Sequence, residues 1–406
     1  RTATTTSSDK MTTTQPSLKA TVAGIEFPTC VYNASGPRTG SAQALAKIAK
    51  SKSGGILAKS ATLHSQTGNP QPRIWQSEAA SMNSEGLPNS GIDYYLSKDT
   101  IDEVRNACGD SEQSNAKPYM VSISGHSLQD NLTMLKQIMD TYAKGNSGIS
   151  AVELNLACPN VIGHPIIAYD FEQMDTVLQA VSNLYAAQKS TLPLGIKMPP
   201  YFDGPHFQSA AGCINKYTHC VKYVASINTI GNALCIDAHS EMPVISSKGG
   251  FAGLSGPAVK YTALANVRQM RNLLDASIDV IGVGGVSSGV DAFELLLCGA
   301  AAVQVGTCHW LEGPKCFDRI CGELQQIMRE KGYSTVKDFS NQLKPWSKEG
   351  ASASRAAKKL KEKQQEDAAN NLVVGNNGGV VEHLVNVVLV LLIAVLAADK
   401  FGLVDL

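Results

Sequence analysis

The 406-residue chain carries no excess charge of either sign, no repeated metal-ligand spacing and no leading methionine. Its 35 lysines and arginines equal its 35 aspartates and glutamates, so no long-range field draws it toward nucleic acid or an acidic surface, and neither is expected as a partner. The ten cysteines are scattered, with no Cys-x-x-Cys and no paired Cys/His spacing. That argues against a zinc site or a disulfide framework, so no metal is expected and the compartment reads as reducing and cytoplasmic. What is present is an apolar fraction of 43%, ample for one large barrel or two average domains.

Residues 1–17 are rich in Thr and Ser and read as a disordered or targeting extension. From Leu18 short β-branched apolar runs alternate with amphipathic helical stretches. Strands are expected at Cys30 to Asn33, Gly55 to Ala58, Tyr119 to Ile123, Ala151 to Leu156, Leu194 to Met198, Ser226 to Ile230, Val280 to Val283 and Ala302 to Val305. Helices are expected at Ala42 to Ala49, Leu128 to Tyr142, Phe171 to Ala187, Ala258 to Leu274 and Val290 to Cys298. Eight such units in about 300 residues favour an α/β fold with a single closed (β/α)8 TIM barrel over residues 18–346. Beyond it lie a basic and low-complexity linker, 347–379, and an apolar tail, 380–406. The run Leu384 to Ala398 is about 15 residues, between a buried helix and a membrane span in length, and reads equally as a tail anchor or as a dimer-packing or amphipathic helix. The basic stretch before it suits a cytosolic flank.

A barrel places its chemistry at the carboxyl ends of its strands, and the polar and glycine residues of this chain fall there. Ala34-Ser35-Gly36 follows the first expected strand and Lys59-Ser60 the second, while Asn155-Leu156-Ala157-Cys158-Pro159-Asn160 ends the fourth. Lys197 ends the fifth, Asn228-Thr229 the sixth, Gly284-Gly285 follows the seventh and Gly306-Thr307 the eighth. A thiol between two carboxamides can act as nucleophile, ligand or base, with the amides fixing a polar ring. Lys59 follows the apolar run Ile56-Leu57-Ala58 and Lys197 stands between Ile196 and Met198, and an ammonium at the barrel mouth requires an anion. The late glycine pairs suit close approach of backbone N–H groups to a phosphate, and Lys248 to Gly253 adds a further glycine stretch that reads equally as a hairpin. Asn83, Asn155, Asn160 and Asn228 suit a planar heterocycle with alternating C=O and N–H groups.

These segments, with Gly195-Ile196-Lys197-Met198-Pro199-Pro200-Tyr201, Gly163-His164-Pro165 running to Ala168-Tyr169-Asp170-Phe171-Glu172, and Gly299-Ala300 with Val303-Gln304-Val305-Gly306-Thr307, resemble the dihydroorotate dehydrogenases, and specifically the soluble fumarate-linked class (class 1A). The resemblance implies an FMN-containing (β/α)8 barrel, usually a homodimer, that oxidises dihydroorotate to orotate in pyrimidine synthesis and passes the electrons to fumarate. Cys158 would then remove the C5 proton, and Lys59 would serve the substrate carboxylate and the flavin. Asn83, Asn155, Asn160, Asn228 and Thr229, with the backbone of Gly86 and Leu87, would hold the pyrimidine ring. FMN would contact Ala34, Ser35, Gly36, Lys59, Ser60, Asn155, Lys197, Gly256, Gly284, Gly285, Gly306 and Thr307. The segment from Cys158 through Pro165 would form a lid.

Cysteine at the base position distinguishes the chain from the quinone-linked class, which uses serine, and the segment Ala168 to Glu172 resembles the fumarate class more than the iron–sulfur-linked one. The chain departs from the family pattern at Ala157 and Thr229, where serine is usual, and at Glu85, where methionine is usual. It also departs in its tail. A dehydrogenase using a quinone or another acceptor at a membrane, a lysine-dependent Schiff-base aldolase and a non-catalytic tail-anchored relative are the alternatives.

Overall fold

Eight short apolar runs build a parallel barrel in a computed structural model that describes residues 15–109, 117–145, 147–157 and 166–356, with 358, 359, 362 and 363. The chain divides into two units, Arg1–Leu343 and Lys344–Leu406. The first holds β1 (Val31–Asn33), β2 (Ile56–Leu57), β3 (Tyr119–Ile123), β4 (Ile149–Asn155), β5 (Leu194–Met198), β6 (Val221–Ser226), β7 (Asp279–Val283) and β8 (Ala302–Val305). Between and after them run α1 (Ala42–Ala49), α2 (Lys98–Asn106), α3 (Leu128–Tyr142), α4 (Phe171–Gln188), α5 (Gly204–Ile214), α6 (Lys260–Leu273), α7 (Gly289–Leu297) and α8 (Lys315–Lys331). The second unit continues a helical turn through 348–356. The expected tail segment Leu384 to Ala398 lies outside the described residues.

The strands pair in the order β1-β8-β7-β6-β5-β4-β3-β2, and every pair is parallel. Burial on both faces explains why these strands read as continuous apolar runs. At the remaining seam a side chain takes over from the backbone ladder. Asn33 is fully buried, and its Nδ2 donates to Leu57 O at 2.6 Å while its Oδ1 accepts from Leu57 N at 3.0 Å.

Helix starts follow from local chemistry. Ser41, Ser97, Ser127, Asp170, Asp203 and Ser288 each accept a hydrogen bond from a first-turn backbone N–H, at the N-caps of α1, α2, α3, α4, α5 and α7.

The sixth strand is a correction. It occupies Val221–Ser226, where Val221, Tyr223, Val224 and Ala225 are buried, rather than the expected Ser226 to Ile230. Asn228 and Thr229 therefore stand beyond the strand, in the loop above the barrel. From Ile230 the chain leaves for a second sheet: Ile230–Ala233, Ala252–Ser255, Ser81–Asn83 and Ile74–Gln76 pair antiparallel in that order. This sheet grows from the loops after β2 and β6, so it stands over the carboxyl ends of the barrel strands. It also resolves the glycine stretch: Lys248–Gly250 is a single helical turn, and Ala252 and Gly253 belong to the strand.

Candidate active site

A cavity of about 360 Å³ opens at the carboxyl end of the barrel. Its wall includes Ala34, Ser35 and Gly36 after β1, Lys59 and Ser60 after β2, and Asn83, Gly86 and Leu87 from the overlying sheet and the turn after it. It also includes Asn155 of β4, Lys197 of β5, Asn228 and Thr229 after β6, Gly256 at the end of the overlying strand Ala252–Ser255, Gly284 and Gly285 after β7, and Gly306 and Thr307 after β8. Residues far apart in sequence thus share one concave space, the usual form of a small-molecule site. Cys158, Asn160 and the expected lid through Pro165 lie outside the described residues.

On the floor, Lys197 Nζ donates to Gln304 Oε1 at 3.1 Å, and Gln304 Nε2 donates to Glu153 Oε2 at 2.8 Å. The same Nε2 reaches Tyr32 Oη at 3.2 Å. Burial holds the Lys197 ammonium below its ordinary range, with the Glu153 charge partly opposing the shift. Burial raises the Glu153 carboxyl, opposed by Lys197 and by the hydrogen bond from Gln304. Glu153 and Gln304 were not among the residues expected at the site. Their signal is a polar residue inside an otherwise apolar buried strand, which demands a partner.

Two hydroxyls line one side, Ser35 Oγ lying 3.1 Å from Ser60 Oγ, and the fully buried Ser122 Oγ backs Ser60 Oγ at 2.8 Å. The amides of the site interlock. Asn155 Oδ1 accepts from Ala157 N at 3.1 Å and from Asn228 Nδ2 at 3.3 Å. Asn228 Nδ2 also donates to Ala157 O at 3.0 Å, while its Oδ1 accepts from Thr229 N at 2.8 Å. Among the described residues Thr229 Oγ1 is a buried oxygen without a partner, an expensive group to leave unpaired. A Cβ on Gly253 would come within 2.2 Å of it, so only glycine allows that strand to pass Thr229.

The glycines of the rim differ in cause. Gly285 has φ +74° and a Cβ there would lie 2.7 Å from Lys260 Cα, so the turn itself demands glycine. At Gly306 a Cβ would meet nothing closer than Ala34 Cβ, at 3.8 Å. Glycine at Gly306 leaves room for a ligand rather than for the protein. With a buried ammonium on the floor and hydroxyls on one wall, this donor set fits a phosphorylated heterocycle.

The other cation, Lys59, faces an unexpected carboxylate. Its Nζ lies 3.9 Å from Glu85 Oε2, and Glu85 Oε1 lies 3.2 Å from Arg73 Nε. All of these side chains are mostly buried, so Glu85 points into the site rather than to solvent.

Residues 17–328 match the family model described as dihydroorotate dehydrogenase. The chain is 44% identical over 327 residues to the dihydroorotate dehydrogenase A (fumarate) of Lactococcus lactis subsp. lactis, covering 80% of this chain and 99% of that one. It is 43% identical over 330 residues to the dihydroorotate dehydrogenase (fumarate) of Kluyveromyces lactis, covering 81% and 99% respectively. In fold it is similar to the crystal structure of DHODH from Eimeria tenella in complex with ferulenol, with a TM-score of 0.64 at 20% identity over 80% of this chain and 87% of that one.

Proposed function

The chain belongs to the dihydroorotate dehydrogenase family, and from that premise we propose that it is an enzyme that oxidises dihydroorotate to orotate in pyrimidine synthesis, with fumarate as electron acceptor. The observation that carries this reading is the convergence on one cavity of Lys59, Lys197, Asn83, Asn155, Asn228 and the late glycines. The family uses a flavin, and FMN is the form proposed here. When bound, it supplies a reversible two-electron hydride acceptor. Ala34 to Gly36, Ser60, Lys197 and Gly256 would hold its ring system, and Gly284, Gly285, Gly306 and Thr307 its phosphate.

The chain's own residues then divide the work. Lys59 would hold the substrate carboxylate, and Asn83, Asn155, Asn160, Asn228 and Thr229, with the backbone of Gly86 and Leu87, would hold the pyrimidine edge. The sulfur of Cys158 would take the C5 proton. An unperturbed thiol titrates at roughly 8.5, so the rate should rise toward alkaline pH. Closure of the segment through Pro165 would exclude water from that proton transfer. Lys197, held by Gln304, would keep positive charge beside the cofactor ring.

The catalytic barrel is proposed to work as a homodimer; Phe202 and Tyr261 are large exposed apolar side chains on it. The tail beyond it is proposed as a membrane tether on an otherwise cytoplasmic enzyme, on the strength of its basic stretch followed by an apolar run. Among the described residues no helix is long and apolar enough to cross a membrane.

The test is an anaerobic spectrum of the purified protein. Dihydroorotate should bleach the flavin band and fumarate should restore it. Recovery with a short-chain quinone alone would reassign the acceptor, and a flavin band that dihydroorotate leaves unchanged would overturn the substrate. A protein without flavin whose lysine is trapped by borohydride would be an aldolase.

A further inference from the structure

A buried carboxylate beside the cation proposed to hold the substrate carboxylate calls for an explanation, because Coulomb attraction for Lys59 sets Glu85 against any anionic ligand. The corner is built to keep that carboxylate in place. Asn69 N donates to Glu85 O at 2.9 Å, Asn69 Nδ2 donates to Ser84 O at 2.9 Å, and Ser84 N donates to Arg73 O at 2.8 Å. The Arg73 guanidinium is anchored in turn, its Nη1 donating to Thr67 O at 2.8 Å and Asn69 O at 3.2 Å. The two segments meet so closely that a Cβ on Gly68 would lie 2.5 Å from Glu85 O and 2.8 Å from Arg73 Nη1.

The two ion pairs are unequal. Arg73 Nε approaches Glu85 to 3.2 Å as an ion pair without hydrogen-bond geometry, whereas Lys59 stands off at 3.9 Å. Arg73 is thus the nearer countercharge of Glu85, which acts on Lys59 through its field. Both Lys59 and Glu85 line the cavity.

We propose that the Arg73–Glu85 pair is a specificity element that sets the carboxylate affinity of Lys59 and biases the site toward monoanionic over dianionic ligands. The inference rests on the functional reading above. Glu85 repels each negative charge a ligand brings, so its penalty is larger for dianionic fumarate than for orotate with its single carboxylate. Arg73 offsets that penalty. Neither residue is assigned a part in the proton or hydride transfer; both act by their field, on Lys59 and on the charge of the ligand.

The experiment is titration calorimetry of the flavin-loaded protein with orotate and with fumarate, in the unaltered chain and in Glu85→Gln, Arg73→Gln and Arg73→Lys. Glu85→Gln should tighten fumarate by about tenfold and orotate by less. Arg73→Gln should weaken both, fumarate more, because Glu85 is then neutralised by Lys59 alone. Arg73→Lys, which keeps the charge, should stay near the unaltered protein. Opposite signs separate a charge effect from damage to the corner, which would weaken binding in Glu85→Gln and Arg73→Gln alike. If those two variants shift affinity in the same direction, or if Glu85→Gln changes orotate and fumarate equally, this proposal falls while bleaching by dihydroorotate leaves the functional reading standing. If the unaltered protein binds neither ligand and dihydroorotate fails to bleach it, both fall.

Discussion

Replacing Cys158 by alanine should leave flavin bound and slow its bleaching by dihydroorotate about 10²–10⁴-fold in an anaerobic stopped-flow trace, the usual contribution of a positioned base. Unchanged bleaching would remove the thiol from that role. A second prediction concerns acid stability and His309, which is buried with its ring 5.2 Å from Phe317. Burial, and then the nearby Arg38 charge, push its pKa from 6.5 down to about 4. The unfolded chain therefore binds the proton more tightly, so the stability this residue contributes is complete above about pH 6.5 and is lost as pH falls toward 4. His309→Gln should flatten that loss, on the order of 2–3 kcal/mol, in denaturant midpoints compared across the same window. Single residues were legible in proportion to how unusual they look in sequence. Lys59, Lys197 and the asparagines stood out at strand ends. Glu153 and Gln304 did not, because a polar residue inside a strand declares its purpose only when its partners on other strands, Lys197 and Tyr32, are known.

At the barrel seam the Asn33 side chain supplies two hydrogen bonds beside one from the backbone, Gly54 N to Val31 O. Asn33→Leu would remove both side-chain bonds that tie β1 to Leu57 and leave Leu57 N and O unpaired, while the backbone bond from Gly54 N to Val31 O at 2.8 Å stays. Each buried orphan costs about 1–3 kcal/mol, so a fall of several degrees in Tm is expected by scanning calorimetry, with Ser127→Ala, an exposed cap worth about 1 kcal/mol, as the milder comparison. Helices α1 and α3 were readable to the residue from periodicity and caps. The sixth strand was not, because Ser226 to Ile230 joins a strand end to the polar loop that carries the site, and its apolar content mimics a strand. The four-stranded sheet over the mouth was also missed. Its members come from two loops more than 140 residues apart, pairing Ser81–Asn83 with Ala252–Ser255, and such pairing leaves no local periodic trace.

In the whole molecule, tail and barrel make separable predictions. If the apolar run tethers the enzyme, the full-length protein should stay with membranes through a salt wash and come off with detergent; recovery in the salt-washed soluble fraction without detergent would end that idea. Sedimentation of the detergent-free or detergent-solubilised enzyme should give twice the chain mass of 43.0 kDa if the homodimer is right, and the single mass would refute it. Sequence alone determined the α/β class, the eightfold repeat and the rim at which the cavity opens, because strand burial, helix capping and glycine-demanding turns are local properties written in short-range patterns. Only the tertiary structure decided that Glu85 stands between Arg73 and Lys59, that Gln304 links Lys197 to Glu153, and that Asn33 joins the first strand to the second. Those facts depend on distances between segments far apart in the chain, and electrostatics and hydrogen bonding are set by such distances rather than by neighbours in sequence.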